Sequence, residues 1–145
     1  MKMAKRYMSL DIGDKRVGVA VSDPSNKFAL PCPVFFRSKF FEDLQYLADL
    51  AKEKGADVIV CGIPCNADGT DSMQTVKTRS FIEHLQQFTD AEIVGEDERY
   101  TSLAAHNDLA FAGVKAKNRK GKVDSIAACY ILESFLAKLN KAKPQ

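Results

Sequence analysis

Three acidic stretches in this 145-residue chain stand where chemistry could use them: Asp11, the run Glu96-Asp97-Glu98, and Asp124. Asp11 interrupts the apolar segment Met8–Ile12, where an ionised carboxylate is costly unless it meets a cation or several donors. Gly13 and Gly18 remove side chains beside it, which weakens a strand but lets a ligand or another backbone approach closely. Taken alone, the same stretch also reads as a charge at a strand end, solvated or capping the turn. Carboxylates on three different elements could hold two divalent ions about 3.5–4 Å apart, the clamp for in-line hydrolysis of a phosphodiester. One ion would activate water and the other would stabilise the departing oxygen. Magnesium suits such ligands, since it takes one or two carboxylates and completes its octahedron with water and substrate phosphate. Converging acids without a cation would raise one another's pKa values, so the cluster wants metal.

Alternation along a strand sets Glu96 and Glu98 on one side and Asp97 on the other. Asp124 stands at the start of the last predicted helix, followed by Ala127 and Ala128. Those small residues allow the helix to approach a sheet and bring Asp124 near Asp11. An acid at a helix N-terminus is equally explained by the helix dipole. Arg99, with Thr101 or Ser102, could hold a phosphate, or Arg99 could pair with Glu96 or Asp97. His84 and His106 lie on predicted helices without partner acids at useful spacing, and read as surface or packing residues.

The elements that must bring these acids together begin with a hairpin: an apolar strand, a turn at Gly13-Asp14-Lys15-Arg16, and a second strand over Val17–Ser22. Ala29–Phe36 is a third extended segment, and Pro31 and Pro33 argue for an edge or terminal position, since proline cannot donate to a central ladder. Helical spacing of Phe40, Leu44, Leu47, Ala48 and Ala51 predicts a helix over residues 39–54, stopped by Gly55. Val58–Cys61 is a short, wholly apolar run typical of a strand covered on both faces, and Ala91–Val94 is expected as another buried strand. Between them a turn-rich loop, Gly62–Thr70, opens into a helix capped by Asp71 or Ser72. That helix runs to about residue 87 with Val76, Phe81, Ile82 and Leu85 inward. A helix over residues 103–112, a basic loop from Lys115 to Lys122, and a last helix carrying Val123, Ile126, Ala127, Tyr130, Ile131 and Phe135 complete the chain, with a frayed tail from Lys138. Hairpin first and αβαβα afterwards implies an α/β fold with a mixed sheet, antiparallel at one edge and parallel beyond, flanked by helices. Ligands gather at strand carboxyl ends in such sheets, and Asp11, the Gly62 loop and the Glu96–Glu98 run all belong to such ends.

Length and composition fit one soluble domain spanning residues 1–145, with no repeat or linker. No apolar run approaches the ~20 residues of a membrane span, and the basic start lacks a signal-peptide core, so a cytoplasmic location is expected. A net charge of +2 is too small to announce a nucleic-acid partner. The cluster Lys115, Lys117, Arg119, Lys120 and Lys122 is more telling, being a footprint for phosphate or else a solvated basic loop. Cys32, Cys61, Cys65 and Cys129 lack the spacing and nearby histidines of zinc or redox sites, and read as reduced, largely apolar filler.

The stretch Leu10-Asp11-Ile12-Gly13-Asp14-Lys15-Arg16-Val17-Gly18-Val19-Ala20-Val21-Ser22-Asp23 resembles the opening signature of the YqgF (RuvX) family of Holliday-junction-resolvase-like nucleases. Gly62-Ile63-Pro64 through Asp68-Gly69-Thr70, Asp97-Glu98-Arg99 with Thr101-Ser102, and Asp124 with Ala127-Ala128 follow the same pattern, in order, over nearly the whole chain. The resemblance implies a ribonuclease H-like fold with a five-stranded mixed sheet. It implies a metal-dependent nuclease using Mg2+ or Mn2+, with Asp11, Glu98 and Asp124 as catalytic metal ligands. It also implies a role in maturing the 5′ end of the 16S rRNA precursor, beside an older junction-resolvase assignment on DNA. Tyr100 departs from the family's usual aliphatic residue. Between Asp97 and Glu98, alternation favours Glu98 as the ligand. Lys15, Arg16, Arg99, Lys117, Arg119, Lys120 and Lys122 are the expected contacts to the nucleic-acid backbone. The protein is expected to act as a monomer or weak homodimer. A non-catalytic nucleotide- or RNA-binding module is the reading from a different class. It would bind RNA with a salt-sensitive affinity that Asp11→Asn leaves unchanged.

Overall fold

A computed structural model of the chain describes residues 4–97 and 116–142, with side-chain surroundings in the last helix from 126 to 141. The elements in chain order are β1 (Tyr7–Ile12), β2 (Arg16–Ser22), β3 (Ala29–Phe36), α1 (Phe40–Glu53), β4 (Val58–Ile63), α2 (Met73–Leu85), β5 (Glu92–Asp97) and α3 (Ala116–Ala142). The five strands form one sheet in the order β3-β2-β1-β4-β5. β1 pairs antiparallel with β2 and β2 with β3, while β1–β4 and β4–β5 are parallel. The mixed sheet expected from the order of elements is therefore the one that forms.

Proline explains the edge. β3 lies outermost, and its register slips between Val17↔Phe35 and Val19↔Cys32, so one extra residue is accommodated around Pro33. A bulge there spares the ladder a hydrogen bond that proline cannot make.

β1 is central and covered on both faces. Met8, Leu10 and Ile12 pack with Leu44, Leu47, Phe81 and Leu85 of α1 and α2. Tyr7, on the opposite face, packs with Ala128, Ile131, Leu132 and Leu136 of α3. Ser72 caps α2, its hydroxyl accepting from the Thr75 backbone N–H while the Thr75 hydroxyl accepts from the Ser72 N–H. Asp71 instead pairs with Arg79 at 2.8 Å.

Four expectations need correction. Val76 is 60% exposed, because the buried face of α2 is formed by Thr75, Thr78, Phe81 and Leu85. β5 is not wholly buried; among the described residues β4 is its one neighbour in the sheet, and within β5 Glu96 alone is buried. The basic run expected as a loop is helical from Ala116, so Lys117, Arg119, Lys120 and Lys122 occupy the first turns of α3. Lys, Arg and Ala are good helix formers, and Gly121 costs only about 1 kcal/mol against them. The tail is helical to Ala142, held by Lys138 on Glu96 and by Asn140 on the Asn26 carbonyl. The helix expected over 103–112, with His106, lies outside the described residues.

Candidate active site

Asp11 sits near the carboxyl end of β1, half-buried. Alternation assigns Tyr7, Ser9 and Asp11 to one face, and two contacts identify that face as the α3 side. The Ser9 hydroxyl donates to the Ala128 carbonyl at 2.6 Å, and the Tyr7 and Phe135 rings stand 5.6 Å apart. Moving up β1 from Tyr7 to Ser9 thus corresponds to moving back along α3 from Phe135 to Ala128. Continuing the same way, Asp11 lies two residues beyond Ser9, about 6.7 Å along a strand. Residue 124 lies four residues before Ala128, about 6 Å along a helix. The backbone register therefore brings positions 11 and 124 to the same height. Gly18 stands directly opposite Asp11 on β2, so no side chain competes from that position.

Asp124 is not at a helix N-terminus. α3 begins at Ala116, two turns earlier, and the dipole explanation for an acid at this position falls away, since that effect fades within the first turn.

The third strand end is β5. Pairing of Leu10 with Cys61, and of Cys61 with Gly95, puts Asp11, Gly62 and Glu96 one step further along at the same end of β1, β4 and β5. Glu96 is 5% exposed, and its Oε2 accepts from the Ser134 hydroxyl and the Lys138 ammonium, both at 2.7 Å. It is a clasp between β5 and α3, its charge answered by Lys138. Asp97 is exposed and on the other side, with the Cys65 thiol 3.5 Å from Oδ1. Glu98 and Arg99 lie outside the described residues, as do Thr101, Ser102 and Lys115. Among the described residues no three acid, histidine or cysteine side chains converge as a cation site; a three-acid centre needs the side chains of residues 98 and 124.

The Gly62–Thr70 loop borders this end. Asp68 Oδ1 accepts from the Thr70 N–H and hydroxyl at 3.0 and 2.6 Å, and Gly69 adopts φ 89°. The Thr75 hydroxyl donates to the Pro64 carbonyl at 2.5 Å, tying the loop to α2. Lys15 is exposed on the β1–β2 turn and Arg16 opens β2, so both stand within a few residues of Asp11. The sequence reading missed Ser9, Ser134 and Lys138. Ser9 carried a signal: like Asp11 it is a polar residue in an apolar strand, two positions away.

The other reactive groups are ordinary. His84 Nδ1 lies 2.8 Å from the Ser80 carbonyl, and its ring packs edge-on against Phe40. All four cysteines are free thiols. Burial, then the nearby Glu133, pushes the Cys129 thiol up to about 12, and burial raises Cys32, so neither is a ready nucleophile.

Residues 5–138 match the profile of the RuvX family, described as Holliday junction resolvase. A Mesorhizobium japonicum protein provisionally named pre-16S rRNA nuclease is 39% identical over 130 residues, covering 90% of this chain and 78% of that one. A Clostridium tetani protein with the same name is 37% identical, covering 90% of this chain and 95% of that one. The chain belongs to the RuvX family. This RuvX protein is accordingly a nuclease, a hydrolase of nucleic-acid phosphodiester bonds. Its fold matches Thermus thermophilus RuvC in complex with a Holliday junction substrate, with TM-score 0.62, 11% identity and coverage of 98% and 100% of the two chains. Fowlpox virus resolvase, bound to Holliday junction DNA, follows with TM-score 0.52, 16% identity and coverage of 92% and 98%. At such identities the likeness speaks for the fold, which is ribonuclease H-like as expected. Among the described residues of this RuvX protein, no helix is long and apolar enough to cross a membrane.

Proposed function

We propose that this RuvX protein hydrolyses phosphodiester bonds of the 16S rRNA precursor near its 5′ end, in the cytoplasm, as a monomer or weak homodimer. Asp11, Glu98 and Asp124 are its metal ligands in this reading. The observation that carries it is the common height of positions 11 and 124, fixed by the Ser9–Ala128 bond. The names of the Mesorhizobium and Clostridium relatives support the choice of substrate.

The donor set fits a hard divalent cation, magnesium or manganese. All three proposed ligands are carboxylates, as such ions require, and Gly18 keeps the ladder position opposite Asp11 clear. When bound, a pair of such ions supplies water activation and charge stabilisation at the leaving oxygen. The chain's own part is to hold and orient. Asp11 is carried on a central strand packed from both sides, which limits its drift. Asp124 is carried on a helix seated against that strand. Lys15 and Arg16, at the turn beyond Asp11, bind backbone phosphate, with Arg99 beyond β5 in the same role.

The basic residues of α3 divide into two stripes. Positions 117, 120 and 124 follow one another at helical spacings of three and four, one stripe of α3. Positions 119 and 122 fall on the opposite side. In this reading Lys117 and Lys120 grip the nucleic-acid backbone beside Asp124, and Arg119 and Lys122 contribute a more distant field.

Purified protein should be incubated with a defined 5′-extended 16S precursor and with a synthetic four-way DNA junction, with and without magnesium. Magnesium-dependent shortening of the precursor 5′ end is the expected result. Cleavage of the junction alone would replace this substrate by branched DNA. No cleavage of either would overturn the reading.

A further inference from the structure

A cleft of about 460 Å³ opens on the other face of the sheet, between the β1–β2 turn, the start of α1 and the exposed side of α2. It lies at the same strand end as Asp11, since its wall includes Ile12, the next residue of β1. Its volume is within the range of small-ligand sites, about 300–1,000 Å³. Asp11 is not among its described lining residues.

The lining combines three kinds of group. Phe40 and Phe81 form an aromatic wall, their centroids 5.8 Å apart and nearly perpendicular, with Phe40 36% exposed and Phe81 buried. Beside them stands a fixed guanidinium. Arg37 Nε donates to Asp43 at 3.1 Å, Nη1 donates to the Gly13 carbonyl at 2.8 Å, and Cζ lies 4.9 Å from the Phe81 centroid. A guanidinium has five N–H donors, so those bonds fix its plane and leave donors for an acceptor in the cleft. Gln74, whose Nε2 donates to the Ile12 carbonyl at 3.4 Å, adds an amide oxygen, and Ser80 a hydroxyl. At the mouth, Lys77 meets Asp14 at 3.6 Å with both side chains more than half exposed. Exposed pairs of this kind are weak, so Lys77 is easily given up to a stronger anion.

A partly exposed ring, polar groups able to read a heterocycle's edge, and a loosely held ammonium suit one chemical class. We propose that this cleft binds a nucleotide, its base against Phe40 and within reach of Arg37 and Gln74, its phosphate on Lys77. Every base has a face to stack, so such a site tolerates sequence. The nucleotide is either an unpaired residue of the RNA substrate or a free mononucleotide. The first source rests on the nuclease reading, the second does not.

The test uses the full chain without divalent metal, followed by backbone amide shifts in NMR. One arm adds the four nucleoside 5′-monophosphates, the other a short single-stranded RNA. Saturable shifts at Gln74, Lys77 and Ser80 are expected in at least one arm. Lys77→Ala and Phe40→Ala should each weaken binding at least about fivefold, and Asp14→Asn should tighten it by removing the competing carboxylate. Lys77 is exposed, so its variant keeps the test decisive even if Phe40→Ala does not fold. Binding confined to the RNA identifies a substrate strand; equal binding of a monophosphate identifies a free nucleotide. No saturable shift in either arm, or affinity unchanged in Lys77→Ala, overturns the proposal. Precursor cleavage with a silent cleft would overturn this inference alone, and nucleotide binding without precursor cleavage would overturn only the proposed 16S-precursor substrate.

Discussion

The Ser9 hydroxyl donates to the Ala128 carbonyl across 2.6 Å of buried space, joining the central strand to the long C-terminal helix. This bond sets the height at which α3 lies on β1, and with it the level of residue 124 relative to Asp11. Ser9→Ala should lower unfolding free energy by about 1 kcal/mol, the usual net value of such a bond, as measured by urea denaturation. Cleavage should fall by a larger factor than the fraction unfolded explains. Equal losses in the two would make Ser9 a stability residue alone.

The stripes on α3 separate two kinds of lysine. Charge reversal at Lys117 and Lys120 together should weaken RNA binding more than reversal at Arg119 and Lys122, since positions 117 and 120 are spaced seven and four residues before Asp124, on one helical stripe. The salt dependence of binding should flatten for the first pair, by roughly 0.7–0.9 in slope for each phosphate no longer neutralised. Filter binding at several salt concentrations measures both. Identical effects of the two reversals would mean that total charge alone matters.

Much of this arrangement is legible in the residues themselves. Pro31 and Pro33 keep β3 out of the sheet's centre, Asp71-Ser72 announces a helix start, and the wholly apolar Val58–Cys61 marks a strand covered twice. What is not legible has physical causes. Val76 is an apolar residue that α2 turns outward, while Thr75 and Thr78 are buried; hydrophobicity alone selects the wrong side of a weakly amphipathic helix. Apolar periodicity is missing from residues 116–122, so their helix propensity goes unnoticed behind their charge. The height of Asp124 opposite Asp11 depends on a bond between residues 119 positions apart, which no local pattern encodes. Glu96 invites reading as a member of the acid cluster, and only tertiary contact reveals that Ser134 and Lys138 hold it.

Arg37 is held by a largely buried pair with Asp43, whose side chain is 2% exposed. Asp43 also accepts from the Ser38 N–H at 2.9 Å, so it fixes the start of α1. Asp43→Ala leaves the guanidinium without its counter-charge and should cost about 3–5 kcal/mol in chemical denaturation. Asp43→Asn, which keeps an acceptor for Ser38, should cost less. A neutral result for Asp43→Ala would show that Gly13 and Phe81 suffice to hold Arg37.

Asp23 closes the β2–β3 connection. The Ser25 hydroxyl and the Phe28 N–H, followed by the N–H groups of Lys27 and Ser25, hold its carboxyl down at about 2. Its folded value is below the unfolded value of about 3.9, so its contribution to stability is complete above that unfolded value. It is lost as pH falls from about 4 through about 2. Melting temperatures of wild type and Asp23→Ala should differ at neutral pH and converge toward pH 2. A difference that stays constant with pH would contradict this.

The central claim is that Asp11 and Asp124 serve one metal centre. Asp11→Asn and Asp124→Asn should be compared with wild type for magnesium-dependent cleavage of the 16S precursor and, separately, for RNA binding. Each variant should lose at least about 100-fold in cleavage, while melting as the wild type does and binding RNA as tightly or more tightly. Full cleavage by either variant would contradict the account and remove that residue from the metal centre.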